Sequence, residues 1–518
     1  MELCSSKQPS TTTLSITTFI FFFLLLLSLP HSTFASSPND FVGSSLRVST
    51  AKFANSAEEV ITVLQKVISI LSRFTNVFGH SRTSNAVSDC LDLLDMSLDQ
   101  LNQSISAAQK PKEKDNSTGK LNCDLRTWLS AVLVYPDTCI EGLEGSIVKG
   151  LISSGLDHVM SLVANLLGEV VSGNDDQLAT NKDRFPSWIR DEDTKLLQAN
   201  GVTADAVVAA DGSGDYAKVM DAVSAAPESS MKRYVIYVKK GVYVENVEIK
   251  KKKWNIMLIG EGMDATIISG SRNYVDGSTT FRSATFAVSG RGFIARDISF
   301  QNTAGAEKHQ AVALRSDSDL SVFYRCGIFG YQDSLYTHTM RQFYRECKIS
   351  GTVDFIFGDA TAVFQNCQIL AKKGMPKQKN TVTAQGRKDP NQPTGFSFQF
   401  CNISADSDLL PSVTTIPTYL GRPWKTYSRT IFMQSYMSDA IRPEGWLEWN
   451  GNFALNTLYY AEYMNSGPGA GVANRVKWSG YHVLNDSSEA TKFTVAQFIE
   501  GNLWLPSTGV TYTSGLKV

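Results

Sequence analysis

The feature that most constrains the fold is a recurrence in the second half of the chain, with a period of about 21 residues, within the range that marks repeat architectures. Three pairs of residues show nearly the same spacing: Asp333 and Asp354, Cys326 and Cys347, and Gln310 and Gln332. A period of this size is typical of one coil of a parallel β-helix, in which successive coils stack as neighbouring strands about 4.8 Å apart. The spacing therefore predicts that the two acids lie one above the other, with the two glutamines beside them.

A degenerate repeat around these residues supports the same architecture. Each copy combines a bulky or polar pair, one Cys or Asp, and then an aliphatic residue that we expect to point into the coil. The copies are ARDISF around Asp297, YRCGIF around Cys326, YRECKIS around Cys347, FQNCQIL around Cys367 and FQFCNIS around Cys401. Stacked coils bury each other's apolar face, so the repeat can be degenerate and still structural. Because consecutive coils bring Cys326 beside Cys347, the sequence predicts that disulfide, with Cys367–Cys401 as the next pair.

Residues 51–171 show a helical pattern instead. Apolar residues recur at intervals of three and four within 60–71 and 90–101, as expected for amphipathic helices that face other helices. A polar stretch at 110–120 indicates a loop. The pattern predicts an all-α four-helix bundle within residues 40–173. A linker with a processing region follows at 174–206, and the all-β parallel β-helix occupies 207–518.

The segment 1–35 has the features of a signal peptide. Lys7 precedes an apolar run at 19–29, and Thr33-Phe34-Ala35 has the small-residue spacing of a cleavage site. The run is too short to favour a membrane span, so we expect secretion; an uncleaved signal anchor is the alternative. Eight cysteines fit the oxidising secretory route. Secretion also makes glycan sites of the four Asn-x-Ser/Thr sequons, at Asn102, Asn116, Asn402 and Asn485.

Charge is distributed unevenly along the chain. Residues 1–200 carry 16 Lys+Arg against 22 Asp+Glu, a net charge of −6, and residues 201–518 carry 33 against 28, a net charge of +5. Two interpretations stay open. The two halves either have differently solvated surfaces, or the basic half meets a polyanion and the acidic half packs on it. The basic run Lys250–Lys253 is likewise either a solvated turn edge or a contact with an anionic polymer.

The predicted pair of stacked acids has a chemical consequence. Two adjacent carboxylates repel, so in an apolar setting one is held ionised while the other keeps its proton. The ionised group acts as a nucleophile, and its neighbour as general acid and then base. Glutamine amides aimed at the same point stabilise an oxyanion, so the set fits acyl transfer; the chain has no G-x-S-x-G motif. The cysteines are not spaced as metal-binding pairs, and we expect no metal and no cofactor. Spacing alone leaves glycoside hydrolysis open.

Five segments of the second half, in order, closely resemble the plant pectin methylesterases (pectinesterases). They are GSTTFRSATFAV (277–288), HQAVALR (309–315), YQDSLY (331–336), GTVDFIFG (351–358) and LGRPWKTYSRT (420–430). The resemblance extends from Val207 to the C-terminus. It implies a right-handed parallel β-helix that hydrolyses the methyl esters of homogalacturonan (pectin) in the plant cell wall, releasing methanol and leaving polygalacturonate.

The same resemblance implies a role for each matching residue. Asp354 would be the nucleophile, and Asp333 would protonate the departing methanol and then activate the hydrolytic water. Gln332 and Gln310 would stabilise the oxyanion, and Arg422 would hold Asp354 ionised and oriented. Contacts to the galacturonate chain are implied for Thr280, Gln310, Arg422 and Trp424, and also for Tyr336, Phe357 and Tyr419, whose alternative role is that of stacked core aromatics.

The helical half resembles the pectin methylesterase inhibitor domain, through SDCLDLLD (88–95) and a DLRTWLSAV…DTC segment (124–139). This implies a Cys90–Cys139 bridge and makes the bundle an inhibitor-like partner of the β-helix. The family's early cysteine pair is absent, which leaves Cys123 as the odd thiol or a rival partner of Cys139. Family precursors carry a dibasic processing signal, whereas this chain reads DTKLL at 193–197. We expect a processing protease to cut after about Leu197; an uncleaved, self-restrained form is the alternative.

Two other functions compete with the esterase. One is a catalytically silent pectin-binding wall protein or inhibitor-like regulator, and the other is a lyase or glycosidase on the same scaffold. Expected partners are methylated homogalacturonan, the chain's own helical domain, separate inhibitor proteins and the processing protease. We expect no nucleic acid, and a membrane only if the signal is an uncleaved anchor.

Overall fold

The computed structural model describes residues 45–75, 77–79, 81–110, 118, 120–172 and 203–517. The predicted signal peptide, the sequon at Asn116, nearly all of the linker and the expected cleavage position at Leu197 lie outside these residues. Within the described ranges, a bundle of four long helices precedes a parallel β-helix, which confirms the predicted fold class.

The bundle is built from amphipathic helices whose apolar faces meet in one core. The helices are α1 (Thr50–Leu71), α2 (Arg82–Gln109), α3 (Leu121–Gly142) and α4 (Ile147–Glu169). Ser49, Ser81 and Ser146 cap α1, α2 and α4, each hydroxyl oxygen accepting a hydrogen bond from a backbone N–H of the first turn. A disulfide between Cys90 of α2 and Cys139 of α3 confirms the pair that the resemblance implied. Cys123 is a free thiol.

The second half winds through three parallel sheets, with strands β1–β26 numbered along the chain. An eleven-stranded sheet contains β1 (Ala206–Val208), β2 (Tyr234–Val238), β5 (Ile256–Ile259), β8 (Ile294–Arg296), β11 (Ser321–Tyr324), β14 (Arg341–Arg345), β17 (Thr361–Gln365), β20 (Gly395–Gln399), β23 (Arg429–Met433), β25 (Tyr459–Tyr463) and β26 (Tyr481–Val483), in that spatial order. An eight-stranded sheet contains β3 (Gly241–Val244), β6 (Thr266–Gly270), β9 (Ser299–Asn302), β12 (Gly327–Phe329), β15 (Lys348–Gly351), β18 (Gln368–Ala371), β21 (Asn402–Ala405) and β24 (Tyr436–Met437).

The third sheet, called here the cleft sheet, has seven strands. They are β4 (Val247–Ile249), β7 (Phe286–Val288), β10 (Leu314–Ser316), β13 (Leu335–Thr337), β16 (Ile356–Gly358), β19 (Asn380–Gln385) and β22 (Thr418–Gly421). Short helices α5 (Val219–Ala225), α6 (Ser487–Thr491), α7 (Val495–Phe498) and α8 (Gly501–Trp504) flank the β-helix.

The strand register confirms the predicted period. Leu314 pairs with Leu335, and Leu335 pairs with Ile356, so two successive coils of the cleft sheet have equal length and match the recurrence in the sequence. The next coil is longer, because Ile356 pairs with Thr383. Positions at equal depth in successive coils therefore stack directly above one another in the region that holds the two acids.

A ladder of aromatic rings fills the coils. Phe323, Tyr344, Phe364, Phe398 and Phe432 occupy equivalent positions of consecutive strands of the eleven-stranded sheet. Neighbouring rings stack with centroids 4.5 to 4.8 Å apart. This spacing equals the strand separation, so each ring contacts the ring one coil away and the core stays filled despite the degenerate sequence.

The predicted disulfides Cys326–Cys347 and Cys367–Cys401 are wrong, although all four residues lie on adjacent coils as expected. These four residues, called here the cysteine row, are free and buried. In-register neighbours of a parallel sheet stand about 4.8 Å apart with parallel side chains, whereas a disulfide brings the Cβ atoms to about 3.8 Å. Each thiol instead donates to a backbone carbonyl of the preceding coil, as Cys347 does to Phe323 at 3.2 Å. Asp297 also differs from the predicted repeat, because it does not stack on a cysteine. Its neighbour Arg296 pairs with Tyr324, so Asp297 is level with Arg325, one position before Cys326.

The bundle packs on the cleft sheet. One apolar cluster joins the bundle core to Phe281, Val312, Tyr336, Phe357 and Ala384 of the β-helix. Ion pairs surround this contact, and most of them have their acid on the bundle: Asp95 and Asp99 with Lys251, Asp89 with Arg282, Asp124 with Arg341, Asp137 with Lys388, and Asp137 and Glu141 with Lys425. The pair of Lys120 with Glu500 has the opposite order. Of the two interpretations of the charge asymmetry, these pairs support the packing of the acidic half on the basic half.

Candidate active site

The two recurring acids lie just before adjacent strands of the cleft sheet. Asp333 precedes β13 and Asp354 precedes β16, one coil apart, and the backbone N–H of Asp333 donates to the carbonyl of Val353 at 3.1 Å. Both acids have left-handed backbone conformations, with φ of 63° and 51°. Such angles are uncommon for residues other than glycine and occur often at functional sites. The predicted stacking of the two acids is therefore present.

Asp354 is held by two neighbours on its own side of the cleft. Arg422 donates from Nε to Oδ1 at 2.8 Å and from a terminal nitrogen to Oδ2 at 2.6 Å. Thr381 of β19 donates from its hydroxyl to Oδ1 at 2.6 Å. A bidentate guanidinium and a hydroxyl donor both favour the ionised carboxylate. The geometry fits an oriented anion.

Asp333 lies in a different environment, although it is only one coil away. Its side chain is buried, and burial raises the pKa of Asp333 well above its usual range; the neighbouring Asp354 raises it further, while Arg422 acts in the opposite direction. A carboxyl group in these surroundings keeps its proton at pH values where an exposed aspartate has lost it. The pair thus combines one oriented carboxylate with one acid whose surroundings favour the protonated form.

A cleft of about 340 Å³ surrounds the pair, and most of the residues that the sequence singled out line it. From the β-helix these are Thr280, Gln310, Gln332, Asp333, Tyr336, Asp354, Phe357, Arg422 and Trp424. Tyr419 is the exception. It lies one coil beyond Thr381, beside Arg442 and Glu444, and outside this lining. Tyr419 thus does not line this cavity, although Arg422 and Trp424 shortly after it in the chain do, and its contact with the galacturonate chain stays a prediction.

The aromatic residues of the cleft form a continuous wall. Tyr336 and Phe357 stack with centroids 4.1 Å apart, and Trp424 meets the edge of Phe357 at 5.8 Å. Tyr336 and Phe357 are buried beneath the bundle, whereas Trp424 is half-buried. The two predicted roles of Tyr336 and Phe357, as stacked core aromatics and as substrate contacts, are compatible. Rings that stack on a sheet surface can also contact a ligand once that surface is open.

Side chains of the bundle complete the cleft. Arg82, Asp89, Thr138, Glu141 and Glu144 line the same cavity as the two acids. The Thr138 hydroxyl is 2.8 Å from Nε2 of His338, whose pKa burial lowers well below its usual range, with Arg315 acting in the same direction. Burial and the neighbouring Arg315 thus both favour the neutral imidazole at this contact between the bundle and the β-helix.

Lysines on the rim of the cleft bind the acids of α3. Lys388 and Lys425 both approach Asp137, at 2.7 and 2.8 Å, and Lys425 also lies 2.6 Å from Glu141. Burial acts to raise the pKa of Asp137, but the two lysines outweigh it, and the pKa is lowered. We call Asp137, Glu141, Lys388 and Lys425 the rim cluster. It fixes the bundle directly beside Trp424.

Two residues that contact Asp354 or Arg422 were not found from the sequence. Thr381 lies on the longer coil that follows Asp354, so it falls outside the constant period that revealed the acids. Trp449, whose ring lies 4.3 Å from the Arg422 guanidinium, belongs to no repeat. For Thr381, the signal available was its place in the strand that follows β16 in the cleft sheet; for Trp449 the sequence offered none.

Comparison with protein families finds two matches. Residues 205–502 match the model "Pectinesterase", and residues 26–168 match the model "Plant invertase/pectin methylesterase inhibitor". Among similar proteins, "Pectinesterase/pectinesterase inhibitor PPE8B" of Prunus persica is 70% identical over 476 residues, covering 91% of both chains. "Probable pectinesterase/pectinesterase inhibitor 32" of Arabidopsis thaliana is 63% identical over 486 residues, covering 91% of this chain and 92% of its own.

Solved structures match the β-helix part. The pectin methylesterase from carrot superposes with a TM-score of 0.61 at 58% identity, covering 61% of this chain and 100% of that chain. The pectin methylesterase from Aspergillus niger gives a TM-score of 0.52 at 31% identity, covering 60% of this chain and 97% of its own. The carrot chain is matched completely by about three fifths of this chain, so that structure corresponds to the β-helix part alone.

Proposed function

The chain belongs to the pectinesterase family and is a carboxylic ester hydrolase, and from this premise we propose that Asp354 and Asp333 carry out the hydrolysis of pectin methyl esters. The observation that supports this most is the unequal treatment of two stacked acids. Asp354 is clamped by Arg422 with two hydrogen bonds, while the buried Asp333 has a pKa well above its usual range. A nucleophile must be ionised and a proton donor must be protonated, so the two environments suit the two roles.

In the first step, a carboxylate oxygen of Asp354 forms a bond to the carbonyl carbon of the methyl ester. The bond from that carbon to the methoxy oxygen then breaks, and Asp333 gives its proton to the departing oxygen, so that methanol leaves. The product is an anhydride between Asp354 and the galacturonate carboxyl group. Asp333 is now ionised and ready to act as a base.

In the second step, water attacks the galacturonate carbon of the anhydride. Asp333 takes one proton from this water, and the bond to Asp354 breaks, which restores both side chains to their starting states. The free galacturonic acid leaves and ionises in solution. Each step passes through an oxyanion, for which the half-buried amides of Gln310 and Gln332 are the donors available in the cleft.

The remaining lining residues suit a sugar polymer. Thr280 and Trp424 stand at the edges of the cleft and are partly exposed. The stacked rings of Tyr336 and Phe357 provide an apolar floor, and aromatic faces are suited to the apolar faces of pyranose rings. We assign chain binding to these four residues, together with Gln310 and Arg422. Tyr419 is left out, because it lies outside the cleft.

The test is methanol release from highly methylated pectin by a form that begins at residue 198. Asp354→Ala should abolish methanol release while the fold survives. Asp333→Asn keeps the shape of the side chain but cannot donate its proton, so the rate should fall by about a hundredfold to ten-thousandfold. Ser350→Ala, a buried change on β15 and outside the cleft lining, is the control and should remain active.

Three results would point elsewhere. Shortening of the polymer without methanol would indicate a lyase or glycosidase, and pectin binding without either product would indicate a silent binding protein. Near wild-type methanol release by Asp354→Ala would exclude the nucleophile assignment.

We further propose that the bundle restrains the enzyme within the same chain. Thr138 and Glu141 of α3 line the catalytic cleft, and the rim cluster fixes α3 beside Trp424. A polymer that must cross the cleft competes with these side chains for the same surface. The full chain should therefore release methanol from pectin far more slowly than the form that begins at residue 198. Equal rates would contradict this restraint.

The chain's destination is also part of the proposal. We propose that it is secreted to the plant cell wall, with removal of the segment 1–35, and that a protease cuts after about Leu197. Release would open the cleft sheet to pectin and to separate inhibitor proteins. Asn102, Asn402 and Asn485 are exposed and so are accessible to glycosylation, while Asn116 lies outside the described residues. N-terminal sequencing of the wall-extracted protein, before and after glycosidase treatment, tests the cleavage positions and the glycans.

A further inference from the structure

The carboxylate of Asp354 has a different set of donors on each of its two oxygens. Oδ1 accepts from Nε of Arg422 at 2.8 Å and from the hydroxyl of Thr381 at 2.6 Å. Oδ2 accepts from a terminal nitrogen of Arg422 at 2.6 Å. An ionised carboxylate offers about two lone-pair sites on each oxygen. Oδ1 therefore has both sites filled within the protein, while Oδ2 keeps one.

From this asymmetry we propose that Thr381 is a positioning residue for the hydrolysis, and that it makes Oδ2 the attacking atom of Asp354. The inference rests on the proposed role of Asp354 as the nucleophile. Thr381 itself does not touch the reacting carbon. It acts by occupying Oδ1 and by fixing the rotation of the carboxylate plane.

The surroundings of Thr381 fit this role. Its side chain is fully buried, and its hydroxyl oxygen also accepts the backbone N–H of Asp354 at 2.8 Å. Because a hydroxyl carries one hydrogen and one lone pair is taken by that N–H, the hydrogen is directed to the carboxylate oxygen. The hydroxyl thus links the main chain and the side chain of the same residue.

The main chain of Thr381 is fixed on both sides of the same segment. Its N–H donates to the carbonyl of Thr352 at 3.1 Å, and its carbonyl accepts from the N–H of Phe355 at 3.2 Å. Asp354 lies between these two partners with a φ of 51°. Thr381 is therefore anchored to the loop that carries the nucleophile, and its hydroxyl has little freedom to turn away.

This arrangement is compatible with the reaction from start to finish. Oδ2 uses its free lone pair to form the bond to the ester carbon, and the methoxy group leaves with the proton of Asp333. Oδ1 becomes the carbonyl oxygen of the anhydride and keeps its donors from Thr381 and Arg422. When water cleaves the anhydride, the bond from Oδ2 to the galacturonate carbon breaks and the original carboxylate is restored.

The test compares Thr381→Ser with Thr381→Ala, which differ by one hydroxyl oxygen, in the form that begins at residue 198 and again in the full chain. Loss of a hydrogen bond to a charged group should lower kcat of Thr381→Ala by about tenfold to a hundredfold, with KM changed less than about twofold. Thr381→Ser should recover most of the lost kcat. Thr381→Val, which keeps the shape of threonine, should behave like the alanine variant.

A matched control lies two positions away on the same strand. Thr383 is also fully buried, but its hydroxyl donates to the backbone carbonyl of Leu420 at 2.9 Å. Thr383→Val removes a buried hydroxyl from β19 without touching Asp354. It should lower the unfolding midpoint by an amount similar to Thr381→Val and leave kcat within about twofold of wild type.

The possible results separate this inference from the proposed function. If Thr381→Ser and Thr381→Ala have equal kcat, or if Thr381→Val loses no more kcat than Thr383→Val, the positioning role is overturned while Asp354 stays the nucleophile. A rise in KM alone would also overturn it, because it would indicate substrate binding. If Asp354→Ala is active, the proposed function itself fails. Should the valine variant fail to fold, the serine and alanine pair still decides.

Discussion

Asp137→Ala in the full chain should release the bundle from the cleft. Asp137 is the centre of the rim cluster, with Lys388 at 2.7 Å from one carboxylate oxygen and Lys425 at 2.8 Å from the other. Truncation leaves Lys388 without this carboxylate and leaves Lys425 with Glu141 as its remaining acidic partner. The lysines belong to the β-helix, so the change on the bundle leaves every residue of the enzyme part intact.

The magnitude follows from the burial of the cluster. Removing one partner of a buried, hydrogen-bonded charge pair costs about 2–5 kcal/mol. The side chains of Asp137, Lys388 and Lys425 are 19%, 26% and 21% exposed, so water screens the pairs in part. The lower end, about 2–3 kcal/mol, is therefore appropriate, and at about 1.36 kcal/mol per factor of ten the open fraction should rise by about thirtyfold to 150-fold.

The assay is the initial rate of methanol release from methylated pectin by the uncleaved chain, expressed as a fraction of the rate of the form that begins at residue 198. A gel of each sample verifies that no cleavage has occurred. Asp157→Ala is the matched control, because Asp157 is an exposed aspartate of α4 and does not line the cleft. The control should stay at the wild-type rate. If Asp137→Ala is as slow as Asp157→Ala, the rim cluster does not hold the bundle in place.

Other predictions concern the cysteines and the buried acid. Cys90→Ser should destabilise the bundle by about 4 kcal/mol, since the bridge to Cys139 closes a long loop, and denaturant unfolding of the bundle measures this. The cysteine row should stay unlabelled in the native protein and react with a thiol reagent in denaturant, whereas mass spectrometry showing linked peptides would restore the disulfides. Asp333→Asn should be more stable than wild type at neutral pH. Because the pKa of Asp333 is raised in the folded state, its contribution to stability is fully present below the unfolded-state pKa of about 3.8 and is lost as pH rises through the folded-state pKa. The difference in unfolding free energy between Asp333→Asn and wild type should therefore widen as pH rises.

The sequence predicted the parts of the fold that follow a constant period. Coils of equal length bring equivalent positions together, and so the stacking of Asp333 on Asp354 was visible without a structure. The sequence also placed the residues of the cysteine row on adjacent coils, but it did not reveal that their thiols are free. Proximity in a parallel sheet is easy to predict, whereas the Cβ separation that excludes a disulfide is not. Where the coil lengthens between β16 and β19, the period fails, and Thr381 was missed for that reason.

The sequence could not predict which residues of the two halves contact each other, and the reason is different. Asp137 and Lys425 are far apart in the chain, and no pattern links them. The net charges of the halves left open whether an acidic surface packs on a basic one, and they did not indicate which carboxylate meets which lysine. The pairing depends on how the whole bundle lies on the cleft sheet, and that is fixed by the shared apolar cluster around Phe281 and Val312.

The charge pairs of the docked bundle also bear on how activation proceeds. The acids of α3 bind lysines on the rim, whereas the two hydrogen bonds of Arg422 to Asp354 and the hydroxyl bond from Thr381 remain inside the enzyme part. The proposed nucleophile is therefore already oriented while the bundle packs over the cleft. Because docking breaks none of these bonds, removing the bundle needs only to expose the cleft and not to rebuild it. We therefore expect that activation by the proposed cleavage is limited by dissociation of the bundle. A variant that weakens the rim cluster should gain rate in the full chain while leaving kcat of the released enzyme unchanged.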